Sequence, residues 1–348
     1  MTKRSPGFIG TVWLGPVALV CAAVPAAAEN DPQSGARQGS PPPALESRER
    51  EALDDARWTG PIFAASAATL PQGHFLIEPV FFDSISSGFY DERGAKHASP
   101  RTNAVGSISF LMYGVTDTFT AGLLPRFGYN QISGSARSRL GVGDTTIRLQ
   151  YRLVQFQEGR PVPGLSLVLD EAFPTGKYQE LGTRPGEGLG TGALKTTVSV
   201  YAQYYFWIFD RRILRTRFDV AYEFPDAQVK VKDVSVYGTR SGFRGYVKPG
   251  SSFVADLAFE YSLTRNWVPA LDVIYERDAS TELHRFDAER SPTIQSSAGR
   301  AGEAFRVAPA LEYSWSKHVG VIVGVAVTVA ARNASATIIP VLGINMTY

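Results

Sequence analysis

Residues 143–154 read GDTTIRLQYRLV, with Asp144, Thr146, Arg148, Gln150 and Arg152 alternating with Thr145, Ile147, Leu149, Tyr151 and Leu153. Period-two alternation marks a β-strand with two unlike faces. A single strand of this kind says only that one side is apolar. Here the pattern recurs along the chain with arginines and carboxylates on the polar side, so the fold turns on which side is the interior.

The alternation predicts about twelve strands, near 74–83, 104–113, 119–129, 144–154, 164–173 and 194–206, then 213–224, 252–263, 267–276, 304–315, 320–331 and 338–348. In 213–224, Leu214, Thr216, Phe218, Val220, Tyr222 and Phe224 oppose Arg215, Arg217, Asp219, Ala221 and Glu223. Segments of about ten residues suit a tilted crossing of a bilayer. The connections sort by parity. Residues 114–118, 207–212, 264–266 and 316–320 are short, whereas 84–103, 130–143, 174–192, 225–251 and 277–303 are long. Two fit less well: 155–163 is long for its side and 332–337 short for its side. A soluble sandwich has no reason to sort its loops this way, whereas an outer-membrane barrel does.

Aromatics gather at strand ends, among them Tyr204, Phe206, Tyr222, Phe224, Trp267, Tyr313 and Trp315, as interfacial girdles require. The chain closes on VLGINMTY, with Leu342, Ile344, Met346 and Tyr348 on one face. The apolar side therefore faces lipid and the charges face inward. Strands in lipid must close on themselves, because an open edge leaves backbone groups unpaired. The expected fold is an all-β, closed antiparallel transmembrane barrel with short periplasmic turns and long extracellular loops.

The ends supply the geography. Lys3 and Arg4 precede an apolar run from Phe8 to Val24, followed by Ala26-Ala27-Ala28. Residues 1–28 thus read as a cleaved secretory signal, placing the protein in a bacterial outer membrane with both mature termini periplasmic. Residues 29–57 read as a disordered linker rich in Pro, Gly and Ser near its start, and 58–348 as the barrel. Removing Lys3 and Arg4 leaves 33 of the 35 basic residues against 33 acids, so no basic surface argues for nucleic acid. The one cysteine, Cys21, leaves with the signal, which excludes disulfides and thiol chemistry. His74, His97, His284 and His318 are scattered, no Ser joins a His and an acid in a hydrolase pattern, and the acids of HRFDAER (284–290) read as a solvated loop. Neither an enzyme nor a cofactor is expected.

The segments WTGPIFAASAATLPQGHFLIEP (58–79), LMYGVTDTF (111–119), LGVGDTTIRLQYRL (140–153) and FPTGKY (173–178) resemble the outer-membrane barrel family labelled for the MetA-pathway of phenol degradation. The resemblance covers residues 58–348 and implies passage of aromatic or other hydrophobic compounds. It carries over no binding residues.

The inward positions divide by charge. Arg126, Arg148, Arg152, Lys195, Arg215 and Arg217 dominate one arc, with Asp144, Asp170, Asp219 and Glu223 among them. Asp256, Glu260, Asp272, Glu276 and Glu312 dominate the other, against Arg306 alone. Two readings stay open: paired charges filling a narrow interior, or a basic wall facing an acidic one across a pore. Prolines 79, 125, 269, 309 and 340 fall on the lipid-facing phase, where each removes a ladder donor. They are interfacial kinks, or else Pro125, Pro269 and Pro309 mark a seam through which an apolar solute leaves sideways. The expected function is a passive channel for small, hydrophobic molecules. The alternative is a shut barrel acting through its loops. The expected partners are outer-membrane lipid, a small-molecule permeant and, through the closing strand ending at Tyr348, the barrel-assembly machinery. Whether residues 29–72 plug the barrel is open.

Overall fold

The computed structural model describes residues 51–348 apart from 54, 210, 211, 227, 287–291 and 295–298. The signal and the linker up to residue 50 lie outside the described residues. All twelve expected wall strands are present. The first half of the wall is β1 (Phe75–Tyr90), β2 (Lys96–Thr116), β3 (Phe119–Leu124) with β4 (Arg126–Ile132), β5 (Gly141–Val142) with β6 (Thr145–Val154), β7 (Gly164–Phe173) and β8 (Lys195–Ile208). β3 and β4 form a single wall position, as do β5 and β6. The rest of the chain adds β9 (Arg212–Pro225), the loop strands β10 (Val229–Lys232) and β11 (Arg244–Lys248), then β12 (Ser252–Tyr261) and β13 (Trp267–Asp278). Last come the loop strands β14 (Glu282–Phe286) and β15 (Pro292–Ile294), and the wall strands β16 (Gly302–Ser314), β17 (Val319–Arg332) and β18 (Ala334–Thr347).

Each wall strand pairs antiparallel with its neighbours in chain order, and β1 pairs with both β2 and β18, closing a twelve-stranded barrel. Closure leaves no edge to be satisfied in lipid. The β2–β3, β8–β9, β12–β13 and β16–β17 connections, Phe75 and Tyr348 lie at one end, here the turn end; the opposite end is the loop end. There β10, β11, β14 and β15 form a separate four-stranded sheet whose Val229, Val231 and Val247, with Tyr237 of the β10–β11 connection, pack on Tyr178 and Ala193 of the 174–194 loop.

The two faces separate as the alternation requires. Phe81, Leu149, Phe218, Leu271 and Val323 point outward and are exposed, while Arg148, Arg215 and Arg217 point inward and are buried. Two aromatic belts ring the outside. Phe75 meets Tyr113, and Trp267 meets Tyr313, as tilted ring pairs at the turn end; Tyr222 meets Phe224, and Tyr275 meets Phe305, at the loop end.

The first hairpin differs from expectation. Residues 84–103 are not a loop: β1 and β2 run on to Tyr90 and Lys96, leaving only 91–95 as the turn. The cause is local. Asp91 Oδ1 accepts N–H bonds from Arg93 and Ala95, both at 2.9 Å, and Oδ2 meets His97 Nε2 at 2.8 Å. These bonds hold the Asp91 carboxyl below the usual range, the His97 contact contributing most. His97 therefore sits in β2, and His284 in the loop strand β14 where it stacks on Tyr246, rather than in irregular loops.

Candidate functional site: an occupied lumen with two unlike walls

The segment 58–70, WTGPIFAASAATL, is not part of the wall. It threads the barrel interior, and nearly every residue from Thr59 to Leu70 is buried. A non-sheet segment in a closed interior must find side-chain partners for its backbone. The wall supplies them. Glu312 Oε2 accepts from the N–H groups of Thr59 (2.5 Å) and Gly60 (2.8 Å). Asp272 takes three, from Ile62 (3.0 Å), Phe63 (3.3 Å) and Ala64 (3.0 Å), and Asp219 takes one from Ala65 (2.5 Å). Gln203 accepts from Ala67, and Thr120 from Leu70. In return Gln150, Ser166 and Arg217 donate to carbonyls of residues 64–68. Small side chains are what let the segment fit. Residues 65–68 are Ala-Ser-Ala-Ala, and a Cβ added to Gly324 of the wall would lie 2.4 Å from Ile62 Cδ1.

The segment is anchored at the turn end. Glu51 reaches Arg212 Nη1 (3.0 Å), Ser262 Oγ (2.5 Å) and, through its carbonyl, Trp207 Nε1 (2.8 Å). Arg57 donates to the Trp315 carbonyl (2.9 Å) and Arg215 lies over the Trp58 ring at 4.4 Å.

The other inward charges pair locally. Arg148 binds Asp170 with two bonds, Nε–Oδ1 at 2.7 Å and Nη2–Oδ2 at 2.5 Å. Lys195 meets Glu223 at 3.0 Å, Arg306 pairs with Glu276, and Glu260 joins both Arg215 and Arg217. Arg126 is half-buried on β4, its carbonyl accepting from Gly143 N–H. Arg152 is half-buried at the turn end, and its N–H donates to Thr118. Asp256 is buried opposite Asp219 in the β9–β12 register, with neither carboxylate oxygen hydrogen-bonded among the described residues. Arg148, Lys195, Arg215, Arg217 and Arg306 thus bond to carboxylates of neighbouring strands, whereas Asp219, Asp272 and Glu312 bond to the internal segment.

The inner face is not polar all round, contrary to the strand reading. From β16–β17 through β18 and β1 to β2–β3 it carries Ala308, Ile322, Ala326, Ile339, Val341, Leu76, Val80, Ile108, Phe110, Met112 and Leu124, joined by Ile62 and Leu70 of the internal segment. The alternation there sets apolar against apolar, so one half of each strand period carries no polarity signal. Polar groups interrupt this arc: Glu78 is buried in it, its Oε2 accepting from Asn345 Nδ2 at 3.3 Å, and Ser84, Ser86, Thr328 and Thr337 are buried toward the loop end.

The prolines mark breaks in the ladder. Pairing of β2 with β3 ends at Leu111↔Leu123 and resumes with β4 at Ile108↔Arg126, and the gap holds Pro125. The β16–β17 register skips Ala308 and Pro309, and β12–β13 stops at Glu260↔Ala270, one step before Pro269. The β1–β18 register is interrupted at Glu78–Pro79 and at Asp83–Ser84, the second opposite Ile339–Pro340, and shifts again between Ser86 and Gly88.

The internal segment carried one sequence signal, a run of small residues before the first alternating strand. It names no location, because the barrel partners of Thr59–Leu70 lie 48 to 255 residues away.

The sequence profile described as "Putative MetA-pathway of phenol degradation" matches residues 95–338, and the chain belongs to that family. Among solved structures, an outer membrane channel from Pseudomonas putida F1 is 15% identical, with 81% of this chain and 98% of that one covered at a TM-score of 0.62. A deletion mutant of the TodX monoaromatic hydrocarbon channel is 13% identical, with 87% and 98% covered at 0.45. The translocator domain of the autotransporter NalP from Neisseria meningitidis is 12% identical, with 79% and 88% covered at 0.44. No curated protein matches the chain.

Proposed function

We infer that this protein is a passive outer-membrane channel for small apolar molecules, kept closed to bulk water by residues 58–70. Its turn end faces the periplasm, where cleavage after residue 28 leaves the linker, and its loop end faces outward. The closing strand ending at Tyr348 is the element offered to the assembly machinery. One observation carries the reading: a barrel wall already apolar on the outside also presents an apolar arc on the inside, centred on Leu76, Val80, Phe110, Ile322 and Ile339. A pore for hydrophilic solutes gains nothing from such a wall, whereas an apolar solute is favoured against it by the removal of its surface from water. Small-molecule sites are likewise mostly apolar with a few placed polar groups. What the Pseudomonas putida protein is called accords with a channel role.

The filled lumen favours a second reading, a closed barrel that works through its loop-end sheet. Uptake separates them. Cells with an intact polar outer leaflet should take up phenol faster when they carry the protein than when they do not. Equal rates would leave the loop-acting barrel.

A further inference from the structure

Asp256 differs from the other buried acids of the wall. Among the described residues, each of those has at least one hydrogen-bonded carboxylate oxygen. Asp256 is 4% exposed, and neither of its oxygens is bonded. Across the β9–β12 seam it pairs with Asp219, whose Oδ2 accepts from Ala65 N–H at 2.5 Å and whose Oδ1 has no partner. Side chains directly opposed on antiparallel strands have Cβ atoms about 4.5–5.5 Å apart, and like charges so placed repel. Three carboxylate oxygens on one rung of a buried wall are thus left without a donor. Arg217 donates to Glu260 and to the Ala64 carbonyl, and Arg148 to Asp170. Arg306 lies on the same rung two strands on, beyond Ile274, and pairs with Glu276. Asp272, on the diagonal, adds another carboxylate rather than a counter-charge.

We propose that Asp219 and Asp256 bind a divalent metal ion, calcium, which clamps the internal segment to the wall. Buried charges are paired or coordinate metals. Two opposed carboxylates carry the two negative charges that such an ion neutralises, and a shared proton would cancel only one of them. Calcium takes about six to eight oxygen ligands in flexible geometry, whereas magnesium demands a near-ideal octahedron and gives up its water reluctantly. No group of three or more Asp, Glu, His or Cys side chains forms a metal cluster among the described residues, so backbone carbonyls and water complete the shell. The clamp works through Asp219. With Oδ1 on the ion, the carboxylate is held in place, and Oδ2 stays fixed on Ala65 N–H in the middle of the segment. The site is separate from the permeant and does not depend on the channel reading.

The test uses the full barrel in detergent, stripped with EGTA and titrated with calcium chloride in a calorimeter. The unaltered protein should bind an ion that Asp256→Asn does not. Glu92→Gln, which removes an exposed acid at the loop end, should bind calcium as the unaltered protein does. No calcium binding that Asp256→Asn abolishes overturns the site. Heat-dependent migration on a detergent gel gives a second reading and shows that each variant folds. Calcium should raise the unfolding temperature of the unaltered barrel by several degrees and leave that of Asp256→Asn where it was. In EGTA, Asp256→Asn should unfold at the higher temperature of the two, because it lacks a buried carboxylate that has no partner. An equal calcium shift in both proteins overturns the proposal. Single-channel recording then tests the clamp: EGTA should make openings of the unaltered protein several times more frequent, and calcium should suppress them. Calcium binding at Asp256 with no change in opening overturns the clamp and leaves the site.

Discussion

Asp272 shows how much a single side chain does here. It accepts three successive backbone N–H groups from the internal segment while buried in the wall. Hydrogen bonds to a charged acceptor are stronger than neutral ones, about 1.5–3 kcal/mol each. Asp272→Asn keeps the shape and removes the charge, so it should loosen the segment without unfolding the barrel. The expected outcome is more frequent opening in single-channel recordings, with normal heat-dependent migration on a detergent gel. Arg148 should behave differently. Its two bonds to Asp170 are internal to the wall and both partners are buried. Arg148→Gln leaves Asp170 an unpaired buried charge, a loss of about 3–5 kcal/mol. Equilibrium unfolding in detergent should register it, with ion selectivity little altered.

Among the elements, residues 51–70 set the state of the lumen. A chain lacking residues 29–70 keeps every wall strand and its pairings, so the barrel should still form. What changes is the interior. Asp219, Asp272 and Glu312 lose their N–H partners, and with Asp256 they would face water. Conductance should rise and selectivity should shift toward cations, as expected for a pore ringed by carboxylates. An unchanged current would mean that the loop-end sheet, not residues 58–70, closes the pathway. The long first hairpin makes a separate point about elements. Its turn is held by Asp91, which sequence alternation does not report because the stretch from Asp91 to Asn103 carries no large apolar side chain on either face.

At the scale of the whole molecule, the barrel is inside out relative to a soluble one over one arc and apolar on both faces over the other. Lipid contact is fixed by the outer face alone. Val323 lies outward and exposed in mid-β17, so Val323→Arg should destabilise the inserted barrel by about 2–4 kcal/mol if it sits at the bilayer midplane. Unfolding from lipid vesicles measures this directly, and a change near zero would place β17 outside the hydrocarbon layer. The same outer face, with its two aromatic belts, predicts recovery in the outer-membrane fraction and not among soluble periplasmic proteins.

The sequence by itself determined a barrel of about twelve strands, the sense of pairing, most of the connections and the lipid-facing side. All of these are local or periodic properties: a two-residue period reports which side chains share a face, as in residues 143–154, and strands of this length in lipid must close. It also named the inward charges, Arg148 and Glu260 among them. Only the tertiary structure decided what those charges do. Whether Asp272 faces water, an arginine or the backbone of Ile62 depends on a contact across 210 residues of chain, which no window of alternation contains. The apolar arc and the twice-broken closing seam lie beyond sequence for the same reason. Pro79 and Pro340 are 261 positions apart, and they weaken one seam only because closure brings the first strand beside the last.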